Sequence, residues 1–333
     1  MMSGTWITLQ PGVDVAAVRA SLQALGLWTE AILGTQGGPP ALAVAPHSRH
    51  VPVRDIVAVP GVQDVMTAPS AHPRVDAQAG VQVPVGRALI GGPGGAVLVA
   101  GPCSVESEEQ IEAAADMVAR AGAVLLRGGA FKPRVSPYSF QGVGRTALTW
   151  LRRAAERVGL GVVTEVLGEA DVDEVAELAD MVQVGSRNMQ NFALLRAVAR
   201  TGRPVMLKRG MTARVEDWLL AGEHLLAGGA SHVVFCERGI VGFDPSTRNL
   251  LDLGAVALLK HVHRQPVMVD PSHAVGRRDL IPALSRAALA AGADGLVIEA
   301  HPEPGRALSD GAQALDEQVL GDVAREMKAA AAR

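Results

Sequence analysis

Between Ala123 and Gly142 the sequence AVLLRGGAFKPRVSPYSFQG places three cations and two adjacent glycines directly after a short apolar run. Ala123-Val-Leu-Leu reads as a strand covered on both faces, and the carboxyl end of such a strand is where α/β folds put their chemistry. Arg127, Lys132 and Arg134 suit an anion there. Arginine offers a planar fork that matches phosphate or carboxylate oxygens, lysine a compact charge, and Gly128-Gly129 lets the backbone come close to a ligand. A solvated basic loop is the alternative, and the choice turns on whether the design recurs along the chain.

It recurs seven more times. Other strand-like runs end in Gly101-Pro102-Cys103-Ser104-Val105-Glu106, Thr164-Glu165, Gly185-Ser186-Arg187-Asn188 and Lys208-Arg209-Gly210. The last three end in Glu237-Arg238-Gly239, Asp270-Pro271-Ser272-His273 and Glu299-Ala300-His301, with Ser309-Asp310-Gly311 in the loop that follows. Two sets separate chemically. Arg127, Arg187, Lys208 and Arg238 suit a small, highly charged anion such as a phosphorylated carboxylate. Cys103, His273, Glu299 and Asp310 form a mixed S/N/O set suited to a divalent transition metal acting as a Lewis acid on a carbonyl oxygen. Their spacing is neither that of a zinc finger nor HExxH, so Cys103 as an apolar strand residue and His273 as a helix-terminal residue stay open on composition alone. His224, His232, His261 and His263 have no such setting and read as structural or solvated.

The elements that must position these groups alternate regularly from Val81 onward. After a hairpin over 81–90 that would close a barrel bottom, strands are expected at 96–100, 123–126, 161–165, 181–184, 204–207, 232–236, 266–270 and 295–299. Amphipathic helices of roughly 9 to 16 residues are expected after each. Ala-Gly-Ala or Ala-Gly-Gly-Ala exits at 121–123, 227–230 and 291–293 suit helix C-caps that feed the next strand. Eight β/α units in about 250 residues predict a TIM (β/α)8 barrel at 81–333, with a doubly wound sheet as the alternative. Residues 1–68 read as a small α+β, ferredoxin-like βαββαβ unit with Asp14 near a helix N-cap, and 69–80, with Pro69 and Pro73, as a linker.

Composition narrows the class. The 333 residues are 48% apolar, enough for a large core, and the net charge of −3 with dispersed cations points to no nucleic acid and no membrane surface. With no apolar run near 20 residues and no charged-then-apolar leader, a cytoplasmic protein is expected, with Cys103 and Cys236 as free thiols. Only Lys132, Lys208, Lys260 and Lys328 are lysine. Two of these four stand just past expected strands, where a phosphate site wants a point charge.

Taken together, GPCSVES (101–107), LRGGAFKPRVSPYSFQG (126–142), QVGSRNMQNF (183–192), LKRG (207–210), CERG (236–239), TRNLLD (247–252), VDPSHAVGRRD (269–279), IEAHPEP (298–304) and ALSDGAQAL (307–315) resemble 3-deoxy-D-arabino-heptulosonate 7-phosphate (DAHP) synthase. The resemblance is to the shorter subtype, which shares its barrel type with 3-deoxy-D-manno-octulosonate 8-phosphate synthase. It runs in order from Val81 to Leu315, while the N-terminal unit resembles the ferredoxin-like regulatory domain of some members.

The resemblance implies condensation of phosphoenolpyruvate with erythrose 4-phosphate, the first step of the shikimate pathway to aromatic amino acids. It implies that Arg127, Lys132, Arg187, Lys208 and Arg238 hold phosphoenolpyruvate and that Lys132, Pro133, Arg134 and Ser136 line the erythrose 4-phosphate side. Cys103, His273, Glu299 and Asp310 would bind the divalent ion (Mn²⁺, Fe²⁺, Zn²⁺ or Co²⁺), with Lys132, Cys103 and His273 at the reacting centre. It further implies an aromatic amino-acid effector acting through residues 1–68, by blocking the barrel mouth, and a homotetramer. Val135 replaces a usual Thr, Val275 a usual Thr or Ser, and Leu250 a usual small polar residue. Val135 bears on aldose affinity and choice rather than on reaction class. The nearest rival is the octulosonate 8-phosphate reaction with arabinose 5-phosphate, where the sister family carries Lys-Ala-Asn-Arg in place of Lys-Pro-Arg. A catalytically silent phosphate-binding regulator is the rival from another class.

Overall fold

The computed structural model describes residues 4–32, 39–92, 94–132, 136, 138 and 140–331. The chain divides into two compact units, Met1–Ala71 and His72–Arg333. In the first, strands β1 (Thr5–Leu9), β2 (Thr29–Ile32), β3 (Ala41–Val44) and β4 (Val62–Thr67) form an antiparallel sheet in the order β2-β3-β1-β4. Helices α1 (Val15–Ala24) and α2 (Val53–Val57) complete the expected βαββαβ sequence. The alternation of β1 turns Ile7 and Leu9 inward against Leu22, Leu42 and Ile56, which sets the register. Asp14 caps α1, its carboxylate accepting from the amides of Ala16 and Ala17.

The expected linker is partly structured, which corrects the reading of 69–80. Residues 73–77 form a helix, α3 (Pro73–Ala77), whose Val75 is fully buried. The start of the helix is capped from a distance, because Glu223 accepts from the amides of Arg74 and Val75 at 2.9 and 3.0 Å. Beyond it, Gln78 donates to the carbonyl of Val233 and accepts from its amide, both at 2.8 Å. Pro73 gave the segment a linker-like composition, yet proline is well placed in a first helical turn, and the partners lie some 150 residues away.

Strands β5 (Val83–Val85) and β6 (Ala88–Ile90) make the expected hairpin. Eight parallel strands then close a barrel: β7 (Val97–Gly101), β8 (Leu125–Arg127), β9 (Gly161–Val166), β10 (Met181–Val184), β11 (Val205–Lys208), β12 (Val233–Glu237), β13 (Val267–Val269) and β14 (Gly295–Glu299). Val83, Val85 and Ile90 of the hairpin pack with Val99, Leu125, Val163, Met206, Val234, Met268 and Val297, so the hairpin fills one end of the barrel interior.

Most helices follow the expected alternation: α4 (Glu108–Ala121), α5 (Arg145–Val158), α6 (Val172–Leu178), α7 (Phe192–Ala199), α8 (Val215–Ala227), α9 (Leu253–Ala257), α10 (Pro271–Val275), α11 (Ile281–Ala290) and α12 (Glu317–Ala331). Several are shorter than the expected 9 to 16 residues. In α10 the cause is local, because Gly276 takes the left-handed conformation and ends the helix after five residues. None of the described helices is long and apolar enough to cross a membrane.

Candidate active site

All eight strands are parallel, so the residues at their carboxyl ends converge on one mouth. A cavity there is lined by Cys103, Arg127, Lys132, Glu165, Gln183, Gly185, Ser186, Arg187, Lys208, Met211, Arg238, Arg248, His273 and Asp310. Six of these carry a permanent or near-permanent positive charge and only two are carboxylates, which favours a multiply charged anion. Gly185 keeps the wall thin, for a Cβ there would stand 1.9 Å from Glu165 Oε1.

The cations are held in a setting that water cannot neutralise. Arg127, Lys208 and Arg238 are each 5% exposed and Lys132 is 8% exposed, whereas Arg187 is exposed at the rim. Nη1 of Arg127 and Nη1 of Arg238 are buried without a hydrogen-bond partner among the described residues. Burial draws the Arg238 guanidinium down from its ordinary value, a strain that an anionic ligand would relieve. Arg209 shows what a spent cation looks like. It follows Lys208 in sequence but donates to Glu237 and Asp252 at 3.0 and 2.8 Å and lies over Trp218. The cavity therefore receives Lys208 and not Arg209.

Beside the cations, one donor atom from each of Cys103, His273, Glu299 and Asp310 falls within 4.8 Å of the others. Cys103 Sγ is 3.0 Å from Asp310 Oδ2, and His273 Nε2 is 3.3 Å from Glu299 Oε2. Asp270, the N-cap of α10, accepts from the His273 amide at 2.9 Å and lies 2.8 Å from His273 Nδ1. That contact places the Nδ1 proton toward Asp270 and leaves Nε2 facing the cluster as an acceptor. Gln313 donates to Glu299 Oε2 at 2.8 Å, while Glu299 Oε1 is buried with no hydrogen-bond partner among the described residues. Asp310 sits at φ 54°, a left-handed conformation uncommon outside glycine and held here by the surrounding loop.

The electrostatics describe a site suited to a cation. Burial pushes the Cys103 thiol up to about 11, with Glu299 adding to the effect, and pushes the Glu299 carboxyl up to about 7. Burial also lowers His273, to about 3, so the imidazole is neutral. Asp270 stays ionised against its own burial because His273 and Lys208 surround it. A soft thiol, a neutral imidazole and two carboxylates, one with an orphaned oxygen, fit a divalent transition ion, which would favour the ionised forms of all three acids. Lys132 Nζ, 2.9 Å from both the sulfur and the carbonyl oxygen of Cys103, ties this cluster to the cationic half.

Of the residues anticipated from sequence, Cys103, Arg127, Lys132, Arg187, Lys208, Arg238, His273 and Asp310 line the cavity, and Glu299 lies fully buried beside it. Ser136 is exposed and absent from the lining, its hydroxyl accepting from the Tyr138 amide at 3.3 Å. Pro133 and Arg134 lie outside the described residues. Sequence reasoning gave no role to Gln183, Asp270, Arg248 or Gln313. A glutamine inside the run Met-Val-Gln-Val and an aspartate three residues before His273 were legible signals. Gln313 carried none.

Comparison with known proteins agrees with this geometry. A curated phospho-2-dehydro-3-deoxyheptonate aldolase of Thermotoga maritima is 49% identical over 231 residues, covering 69% of this chain and 68% of that protein. A 2-dehydro-3-deoxyphosphooctonate aldolase of Acidithiobacillus ferrooxidans is 35% identical over 237 residues, covering 65% of this chain and 83% of the relative. The crystal structure of the Thermotoga maritima phospho-2-dehydro-3-deoxyheptonate aldolase (DAHP synthase) superposes over 98% of this chain and 96% of its own, with TM-score 0.75 at 38% identity. A truncated form of 3-deoxy-D-arabino-heptulosonate 7-phosphate synthase from the same organism covers 75% of this chain and 92% of its own, with TM-score 0.70 at 43% identity. Residues 74–332 match the profile described as the DAHP synthetase I family, and this chain belongs to that family.

Proposed function

We propose that this chain joins phosphoenolpyruvate to D-erythrose 4-phosphate with addition of water, releasing phosphate and giving 3-deoxy-D-arabino-heptulosonate 7-phosphate. The observation that carries the reading is the meeting, at one barrel mouth, of six lining cations with the four-donor cluster of Cys103, His273, Glu299 and Asp310.

Phosphoenolpyruvate brings a phosphate and a carboxylate, which Arg127, Lys132, Arg187, Lys208 and Arg238 would neutralise between them. The unsatisfied Nη1 groups of Arg127 and Arg238 are donors already oriented and dehydrated, so binding needs little reorganisation. Lys132 also faces the aldose, with Pro133, Arg134 and Ser136 on the erythrose 4-phosphate side. The new bond runs from C3 of phosphoenolpyruvate to the aldehyde carbon, while water adds at C2 and the phosphate departs from C2. C3 is a weak nucleophile, so holding the two carbons about 3 to 3.5 Å apart supplies much of the acceleration. Cys103, His273, Glu299 and Asp310 would hold a divalent ion, which when bound supplies a Lewis acid for the aldehyde oxygen. Asp270 fixes the Nδ1 proton of His273 and keeps Nε2 free. Lys132 Nζ, beside Cys103 Sγ, is placed to hold a proton next to the reacting aldehyde.

The octulosonate 8-phosphate reaction is the second reading, supported by the 35% identical relative and opposed by the 49% identical one. Phosphate release from phosphoenolpyruvate with erythrose 4-phosphate and, separately, arabinose 5-phosphate, each with and without chelator, tests both. Turnover with erythrose 4-phosphate that chelation abolishes is expected. Turnover only with arabinose 5-phosphate selects the second reading, and none with either aldose leaves a silent phosphate-binding barrel. We further propose that the N-terminal unit, Met1–Ala71, answers to an aromatic amino acid.

A further inference from the structure

A second cluster of metal-ligating side chains lies in the barrel unit, apart from the mouth. One donor atom from each of His72, Asp76 and His263 falls within 4.8 Å of the others. Both histidines are more than nine-tenths buried, at 8% and 7% exposure, and their rings are 5.9 Å apart at 62°. His263 Nε2 is buried and has no hydrogen-bond partner among the described residues, the condition least expected of a structural histidine. Burial holds the His263 ring well below its ordinary value, at about 4, so it presents a neutral nitrogen. His72 stands between carboxylates, with Nδ1 3.0 Å from Asp76 Oδ1 and Nε2 3.8 Å from Glu216 Oε2.

The backbone around these groups is fixed. His72 precedes α3 and Asp76 lies one turn on, while α3 is tied to α8 through Glu223 and to the 263–265 segment by Gln265 Nε2, which donates to Val75 O at 2.8 Å. The donors come from two separated parts of the chain, 72–76 and 263, rather than from one local turn.

We propose that His72, Asp76 and His263 form a second, three-donor site for a divalent transition ion of the zinc class. Donors about 2.0 to 2.1 Å from a tetrahedral zinc stand roughly 3.3 Å from one another. The partly exposed Asp76 carboxylate can move that far, and the buried imidazoles need not. Two nitrogens and one carboxylate oxygen leave the fourth position to water, and the ion would pin α3 against the 263–265 segment, away from the residues that line the mouth. This inference does not rest on the catalytic reading of the mouth.

The test is zinc stoichiometry of the full chain, by equilibrium dialysis of metal-free protein followed by elemental analysis. Two equivalents per chain are expected in the wild type, one in His273→Gln, one in His263→Gln and none in the double variant. Zinc should also raise the Tm of His273→Gln but not that of the double variant. Should His263→Gln fold poorly, Asp76→Asn at a half-exposed position keeps the test intact, with the second affinity falling on the order of 10- to 100-fold or more. A single equivalent in the wild type that His273→Gln removes would overturn the proposal. So would a second equivalent that survives in both His263→Gln and Asp76→Asn.

Discussion

Replacing Asp270 by asparagine keeps the shape of the side chain and removes the charge on which three donors converge. Its carboxylate accepts from the His273 amide at 2.9 Å, faces His273 Nδ1 at 2.8 Å and pairs with Lys208 Nζ at 2.5 Å, and it is completely buried. An asparagine oxygen can still cap α10, but its NH₂ group then points at both Lys208 and His273, where Oδ2 had faced the two of them. Two effects follow. Lys208, 5% exposed, becomes a buried cation without its counter-charge, which costs about 3 to 5 kcal/mol when one partner of a buried pair is removed. That is a large share of the roughly 5 to 15 kcal/mol by which a folded domain is stable. His273 also loses the acceptor that fixed its Nδ1 proton, so the proton can pass to Nε2, where it donates to Glu299 and occupies the lone pair a metal needs, and metal affinity should fall about 10- to 100-fold. Urea unfolding in the presence of chelator reads the first effect, and competition against a chromophoric chelator reads the second. Asp270→Asn combined with Lys208→Met should recover part of the lost stability, because the stranded charge is gone. A single variant within about 1 kcal/mol of wild type, with unchanged metal affinity, would show that Asp270 neither balances Lys208 nor orients His273.

Glu299 and His273 give the metal-free protein opposing pH dependences. The Glu299 carboxyl, raised to about 7, holds a proton that the unfolded chain has lost, so it withdraws stability as pH rises from about 4.5 to 7, by roughly 3 kcal/mol in all. His273, lowered to about 3, adds stability as pH rises from about 3 to 6.5. The difference in unfolding free energy between wild type and Glu299→Gln should therefore fall across pH 4.5–7 in chelator and not in saturating divalent ion; a flat difference in chelator would refute the shift. Arg134→Ala should raise the KM for erythrose 4-phosphate far more than that for phosphoenolpyruvate, and equal increases would place the Lys-Pro-Arg segment on the wrong side of the site. Deleting residues 1–71 should leave turnover largely intact and abolish inhibition by tyrosine or phenylalanine. A truncated protein that is still inhibited, or a full-length one indifferent to aromatic amino acids, would leave that unit a structural role only.

The sequence alone determined the barrel, because buried parallel strands need unbroken β-branched runs and their helices need a 3.6-residue period, and both leave a trace in the order of residues. It also located the chemistry, since a polar group after each such run has few structural reasons to be there. Tertiary structure decided which of those groups meet. Positions 103, 273, 299 and 310 become one cluster only when the barrel closes and Asp310 takes its left-handed conformation. Lys208 and Arg209 look equivalent in the string, yet one faces the cavity and the other is consumed by Glu237 and Asp252. Pro73 and its neighbours read as a linker because their partners, Glu223, Val233 and Gln265, lie some 150 to 190 residues away. His263 read as structural or solvated for the same reason, since His72 and Asp76 reach it only across that distance. Local patterns report what a segment can become, while contacts between distant segments arise from closure of the chain and have no local period to betray them.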